Sequence, residues 1–79
     1  MAKQKIKRSE KFQKRFRELL DYNKISTYQI AEEVEVCQGT IYHWLDGYSE
    51  PSILKLVDLA DALNVSVGQL VGTEELEEV

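Results

Sequence analysis

The sequence predicts an all-α fold: a compact packing of five short helices with no strand. Three observations point there. The 79 residues hold one proline and four glycines, so little punctuates the chain. Apolar residues recur at three- and four-residue spacing. One helix-start pattern also recurs: an apolar residue, a cap, two residues, a capping-box-like residue, and a second apolar residue.

The first helix is expected over residues 9–23. Phe12, Phe16, Leu19 and Leu20 stand at i, i+4, i+7 and i+8, one apolar stripe, and Ser9-Glu10 is an N-terminal signal. The second, over 27–34, opens with Ile25-Ser26-x-x-Gln29-Ile30. Ser26 can accept from the Gln29 amide while the Gln29 side chain reaches back, and the flanking isoleucines form a staple. The third, over 38–46, opens with Val36-Cys37-x-x-Thr40-Ile41 and ends at Gly47. Its cap is weaker, because cysteine accepts poorly and threonine is short. The fourth, over 52–63, follows Pro51, with Ile53, Leu56, Val57, Ala60 and Leu63 on one apolar face and Asn64 to end it. The fifth, over 67–71, opens with Val65-Ser66-x-x-Gln69-Leu70 and stops at Gly72. Connections of three to five residues suit a compact helical domain.

Composition narrows the function classes. The chain is 43% apolar and 30% charged, ordinary for a globular domain and too short for a multi-step enzyme with a substrate domain. No apolar run approaches a membrane span, and MAKQKIKRSEKF lacks the apolar core of a secretory signal, so a cytoplasmic location is expected. Cys37 has no second cysteine, and with one histidine it cannot complete a structural zinc site. No metal, no cofactor and no enzymatic activity are expected.

The net charge of −4 conceals a split. Residues 1–24 carry nine Lys/Arg against three acids, net +6; residues 25–79 carry Lys55 alone against eleven acids, net −10. The layout read from this is a basic arm over residues 1–8, a helical domain over 9–72 and an acidic tail over 73–79. Such an asymmetry suggests an arm that meets an anion, or a solvated tail that aids solubility.

Residues 27–46, TYQIAEEVEVCQGTIYHWLD, place two helices of about eight residues around a three-residue turn. Ile30, Val34, Val36, Ile41, Trp44 and Leu45 face inward, and Ala31 lets the helices cross closely. That is a helix-turn-helix. Together with WLDGYSEPS (residues 44–52), a Trp-x-x-Gly-x-x-x-Pro-Ser turn, and LVDLADALNVSVGQLV (residues 56–71), it resembles the Cro/repressor-type (XRE-like) helix-turn-helix proteins over residues 16–72. The resemblance implies a five-helix Cro/repressor-like domain that binds double-stranded DNA with its third helix. Three departures stand out. Glu35 occupies the usual turn glycine, which forces a side chain into the left-handed region at about 1–2 kcal/mol. Leu20 and Leu45 replace a frequent Arg–Glu pair, an exchange packed apolar groups can sustain. The loop before Pro51 reads Tyr48-Ser49-Glu50 where the family is often basic.

With Ile41, Trp44 and Leu45 inward, the third helix presents Gln38, Gly39, Tyr42, His43 and Asp46. A Gln38 carboxamide donates and accepts at once, which suits adenine N6/N7, and the family often reads a base here; otherwise it is a solvated glutamine. Gly39 permits close approach, or is merely tolerated. Thr40 can meet a phosphate or satisfy the first turn. Tyr42 can cover a thymine methyl, meet a phosphate or lie against the second helix. His43 can donate to guanine or phosphate, or stay exposed. Thr27 and Tyr28 open the second helix, where backbone amides favour phosphate and local capping is the plainer role. Cys37 serves as a cap more readily than as a redox switch.

No Lys or Arg lies between residues 25 and 54, although phosphate neutralisation supplies most non-specific affinity. Lys3, Lys5, Lys7 and Arg8 are therefore expected to supply it as an arm, with Lys11, Lys14, Arg15 and Arg17 on the first helix. The function expected is a sequence-specific transcriptional regulator, a repressor acting as a homodimer on half-sites about 34 Å apart. Val65, Val67, Leu70 and Val71 are its candidate self-interface, with Leu54 at the margin. The alternative is a helix-turn-helix-derived protein-interaction module or antitoxin with a protein partner.

Overall fold

The first helix organises the core. In the computed structural model, which describes the backbone of residues 7–75 and side chains from residue 10 onward, α1 (Lys7–Asn23) packs against α5 (Val67–Val71), α3 (Gln38–Asp46) and α4 (Ile53–Leu63). Phe12, Phe16, Leu19 and Leu20 are all buried, and the two phenylalanine rings stack 5.3 Å apart. α1 starts at Lys7, two residues before the expected start. Lys7 and Arg8 are thus helical in backbone, not part of an extended arm. Their side chains, and all of Lys3 and Lys5, lie outside the described residues, as do residues 76–79 of the tail.

α2 (Thr27–Val34) packs on α3 and α4. The capping boxes read from sequence are present at both α2 and α5: Ser26 accepts from the Gln29 amide and Ser66 from the Gln69 amide, with each glutamine returning to the cap backbone. Ser52 caps α4 from just outside it. Cys37 stands at the cap of α3 without a side-chain cap bond.

The turn between α2 and α3 is closed by Glu35 at φ 61°, ψ 49°, the left-handed conformation. Its amide reaches the Ala31 and Glu32 carbonyls, and the Val36 amide bonds to Ala31 at 3.0 Å. The usual glycine is absent, yet the geometry that glycine favours is retained. Gly47 ends α3 at φ 84°; a Cβ there would come within 2.5 Å of the Gln13 carboxamide of α1.

The core joins all five helices: Ile30, Ala31 and Val34 from α2, Ile41, Trp44 and Leu45 from α3, Leu59, Ala60 and Leu63 from α4, and Leu70 from α5. Leu20 and Leu45 are both buried in it. The apolar face expected on α4 is covered only in part. Ile53 is 78% exposed and Val57 is exposed too, while Leu59 is fully buried. The covered arc of α4 is Leu59, Ala60 and Leu63, with Leu56 partly buried beside them, while Ile53 and Val57 lie outside it. Among the described residues, no helix is long and apolar enough to cross a membrane.

Candidate nucleic-acid interface

Because Ile41, Trp44 and Leu45 are turned into the core, the opposite side of α3 faces solvent. Gln38, Gly39, Tyr42, His43 and Asp46 are exposed there. Residues four apart on a helix lie above one another, so Gln38 and Tyr42 share a strip. Thr27, first residue of α2, meets that strip from the side. Gln38 Nε2 donates to Thr27 Oγ1 at 2.7 Å, and Thr27 Oγ1 donates to the Tyr42 hydroxyl at 3.2 Å. The structure thus brings Thr27, Gln38 and Tyr42 into one hydrogen-bonded group.

Gly39 adjoins this group. Apart from its chain neighbours and the adjoining backbone of α3, no heavy atom of the described residues lies within 4 Å of where a Cβ would stand. Internal packing does not require a glycine there, and helix propensity disfavours one.

The other candidates are placed differently. Tyr28 is exposed, but its hydroxyl engages Glu32, one turn on. That hydrogen bond, and then the carboxylate's charge, raise the phenol above its usual range. Thr40 turns its hydroxyl toward the Cys37 sulfur at 3.9 Å. His43 and Tyr48 meet edge to face, centroids 5.7 Å apart, so an aromatic pair borders the loop after α3.

Arg17 adds a charge that the sequence did not assign to this region. Its guanidinium donates to the Leu45 carbonyl at 3.3 Å and lies 3.9 Å from the Asp46 carboxylate. It therefore sits at the C-terminal end of α3, where the helix dipole favours a cation, and offsets the acid nearest the exposed strip. The signal was available: the resemblance implies an Arg of the first helix tied to the third, and Arg17 stands one turn before Leu20. Lys55 is drawn elsewhere, donating to the Val34 carbonyl at the end of α2.

The proposed self-interface separates. Leu70 is fully buried in the monomer and offers no surface to a second chain. Val65 and Val71 are partly buried against the core, and Val67 is 37% exposed. The larger uncovered apolar surface is Ile53 and Leu54 at the start of α4. Among the described residues, no group of three or more His, Cys, Asp or Glu is arranged to hold a metal ion.

Comparison with known proteins agrees with this fold. A solved structure of a transcriptional regulator from Listeria innocua matches with a TM-score of 0.72 at 31% sequence identity, over 86% of this chain and 62% of that one. The chain thus spans less than two thirds of that regulator's length. No curated protein matches. A family model for the helix-turn-helix covers residues 14–70, from within α1 to within α5. With that match across most of its length and the Trp44-to-Ser52 turn in place, the chain belongs to the helix-turn-helix family of the Cro/repressor type.

Proposed function

We propose that this chain is a sequence-specific, DNA-binding transcriptional regulator that inserts α3 into the major groove and acts as a repressor in the cytoplasm. The observation that carries the reading is the exposed strip of Gln38, Gly39, Tyr42 and His43, flanked by the start of α2. A major groove admits one helix and shows a distinct pattern for each base pair. Gln38 is the base reader, Gly39 the point of closest backbone approach, and Tyr42 and His43 contact bases or phosphates further along. The backbone amides of Thr27 and Tyr28, at the positive end of α2, and the Thr40 hydroxyl meet phosphates.

The grip comes from Lys3 and Lys5 and from the cations of α1, Lys7 and Arg8 among them, because residues 25–54 have no Lys or Arg. The active unit is a homodimer, since two α3 strips must reach successive major grooves. Val67, with the rims of Val65 and Val71, forms its self-interface, extended by the uncovered apolar residues of α4. A second reading, a protein-interaction module or antitoxin, is favoured by one observation: Glu33, Glu35, Asp58 and Asp61 line a cleft between α2 and α4, a surface that repels DNA.

A titration onto random genomic DNA at low and raised salt, with the full chain and with residues 1–6 removed, separates the readings. Binding at low salt that weakens steeply with salt, and weakens again on truncation, supports the proposal. No binding at low salt favours the interaction module. Binding indifferent to truncation removes the arm from the account.

A further inference from the structure

We propose that residues 72–75 form a strap that fastens the acidic tail against the basic first helix, where it competes with DNA phosphates and holds non-specific binding down. This inference rests on the DNA-binding role proposed above.

The chain doubles back after α5. The amides of Gly72, Thr73 and Glu74 converge on the Gly68 carbonyl at 3.0, 2.9 and 3.1 Å, which turns the strap toward the start of the helix. There it is tied to the capping box. Ser66 Oγ donates to Glu74 Oε1 at 2.8 Å, and Gln69 Nε2 donates to the Glu75 carbonyl at 3.3 Å. Among the described residues, the matching box of α2, Ser26 with Gln29, bonds only within itself. A second fastening comes from α1. The Arg15 guanidinium donates to the Gln69 carbonyl and, at 3.1 Å, to the Glu74 carbonyl, with only 18% of its side chain exposed.

The position of the strap matters because of charge. Lys11 and Arg15 stand one turn apart on α1, and a Cβ on Gly72 would stand 3.0 Å from the Lys11 Cβ. Glu74 and Glu75 are thereby held beside the helix that carries the basic residues counted for the phosphate grip, and Glu77 and Glu78 follow in sequence. Arg15 is already bonded to carbonyls and is withdrawn from that grip. A free tail would spread its charge over a wide volume. A fastened one keeps it within the Debye length, about 8–10 Å, of the α1 cations, and acts as an intramolecular competitor at high effective concentration. The competition falls on the charge-driven, sequence-independent part of DNA affinity.

The test measures affinity for a random-sequence duplex, from low to raised salt, with the full chain as wild type and as four variants. Arg15→Lys keeps the charge but loses the fork that holds two carbonyls. Gly68→Ala also keeps the charge; its Cβ would stand 2.6 Å from the Glu74 Cδ and so displaces that side chain. Glu74→Gln/Glu75→Gln removes two charges from the strap, and Glu33→Gln/Asp61→Asn removes two from the cleft between α2 and α4. Binding is expected to tighten roughly two- to threefold in Arg15→Lys and Gly68→Ala and roughly fivefold in Glu74→Gln/Glu75→Gln. These gains fade as salt rises, and the cleft pair gains clearly less than the strap pair. Equal gains from the two neutralised pairs reduce the tail to its net charge and overturn the proposal. So does unchanged affinity in both charge-preserving variants. Absence of binding at low salt in the wild type and every variant, the neutralised strap included, overturns the DNA-binding role and the strap's competition with it; that failure is told apart because nothing binds at all.

Discussion

The Arg17 guanidinium lies 3.9 Å from the Asp46 carboxylate, tying the middle of α1 to the last residue of α3. Both side chains are more than half exposed, so the pair contributes little to stability, about 0–1 kcal/mol. Its consequence is electrostatic. It shields the one acid on the exposed side of the candidate recognition helix and brings a cation of the basic segment alongside.

Replacing Asp46 by Asn separates these effects. The expected change in unfolding free energy is below about 1 kcal/mol, read by urea denaturation. DNA affinity is expected to rise roughly two- to fivefold on any duplex sequence, because Arg17 is released and a like charge beside the phosphates is lost. Unchanged or weaker binding in Asp46→Asn contradicts a DNA-facing end of α3.

Glu35 holds a left-handed conformation at φ 61°. Placing a glycine there removes a strain of about 1–2 kcal/mol and adds about 0.5–1 kcal/mol of backbone entropy cost. The net expectation for Glu35→Gly is a gain of about 0.5–1 kcal/mol, seen as a higher urea midpoint with an unchanged slope. A lower midpoint would show that the Glu35 side chain makes a compensating interaction.

Gly39→Ala is expected to move two readouts in opposite directions. A Cβ there meets open space, so the helix gains about 0.5–1 kcal/mol in stability. Duplex affinity falls, because the added methyl group intrudes where the backbone approaches the groove. An alanine variant that is more stable and binds equally well would reduce Gly39 to a tolerated residue.

Self-association is tested at Leu54, 77% exposed at the start of α4. Leu54→Asp leaves monomer stability within about 0.5 kcal/mol and is expected to shift sedimentation velocity toward the monomer. A dimer that survives this change puts the self-interface elsewhere.

Local rules were highly legible in the chain. The stripe of Phe12, Phe16, Leu19 and Leu20 and the two Ser–Gln capping boxes followed from residues close in sequence, where spacing and side-chain chemistry decide the conformation; the left-handed Glu35 turn followed from the resemblance, which puts a glycine at that position. The failures share one cause. The apolar arc of α4 admits more than one reading on a helical projection. The choice between Val57 and Leu59 depends on where α1 and α2 lie, which is tertiary information. Leu70 was offered to a second subunit because an apolar residue looks the same to a core and to an interface. The exposed side of α3 was readable by exclusion, once Ile41, Trp44 and Leu45 were assigned inward. The hydrogen bonds joining Thr27, Gln38 and Tyr42 were not, because they span two helices and depend on the crossing that Ala31 permits. Arg17 was visible as a basic residue, but its reach to Asp46 was not.

The central claim is that α3 meets DNA through its Gln38–His43 side. Amide and side-chain chemical-shift mapping of the labelled full chain, as it is titrated with a selected duplex, tests it most directly. The account predicts the largest shifts at Gln38, Gly39, Tyr42 and His43, with Thr27 and Tyr28 next and the Glu33–Asp61 cleft quiet. Shifts concentrated in that cleft or on α5, with α3 unmoved, would contradict it.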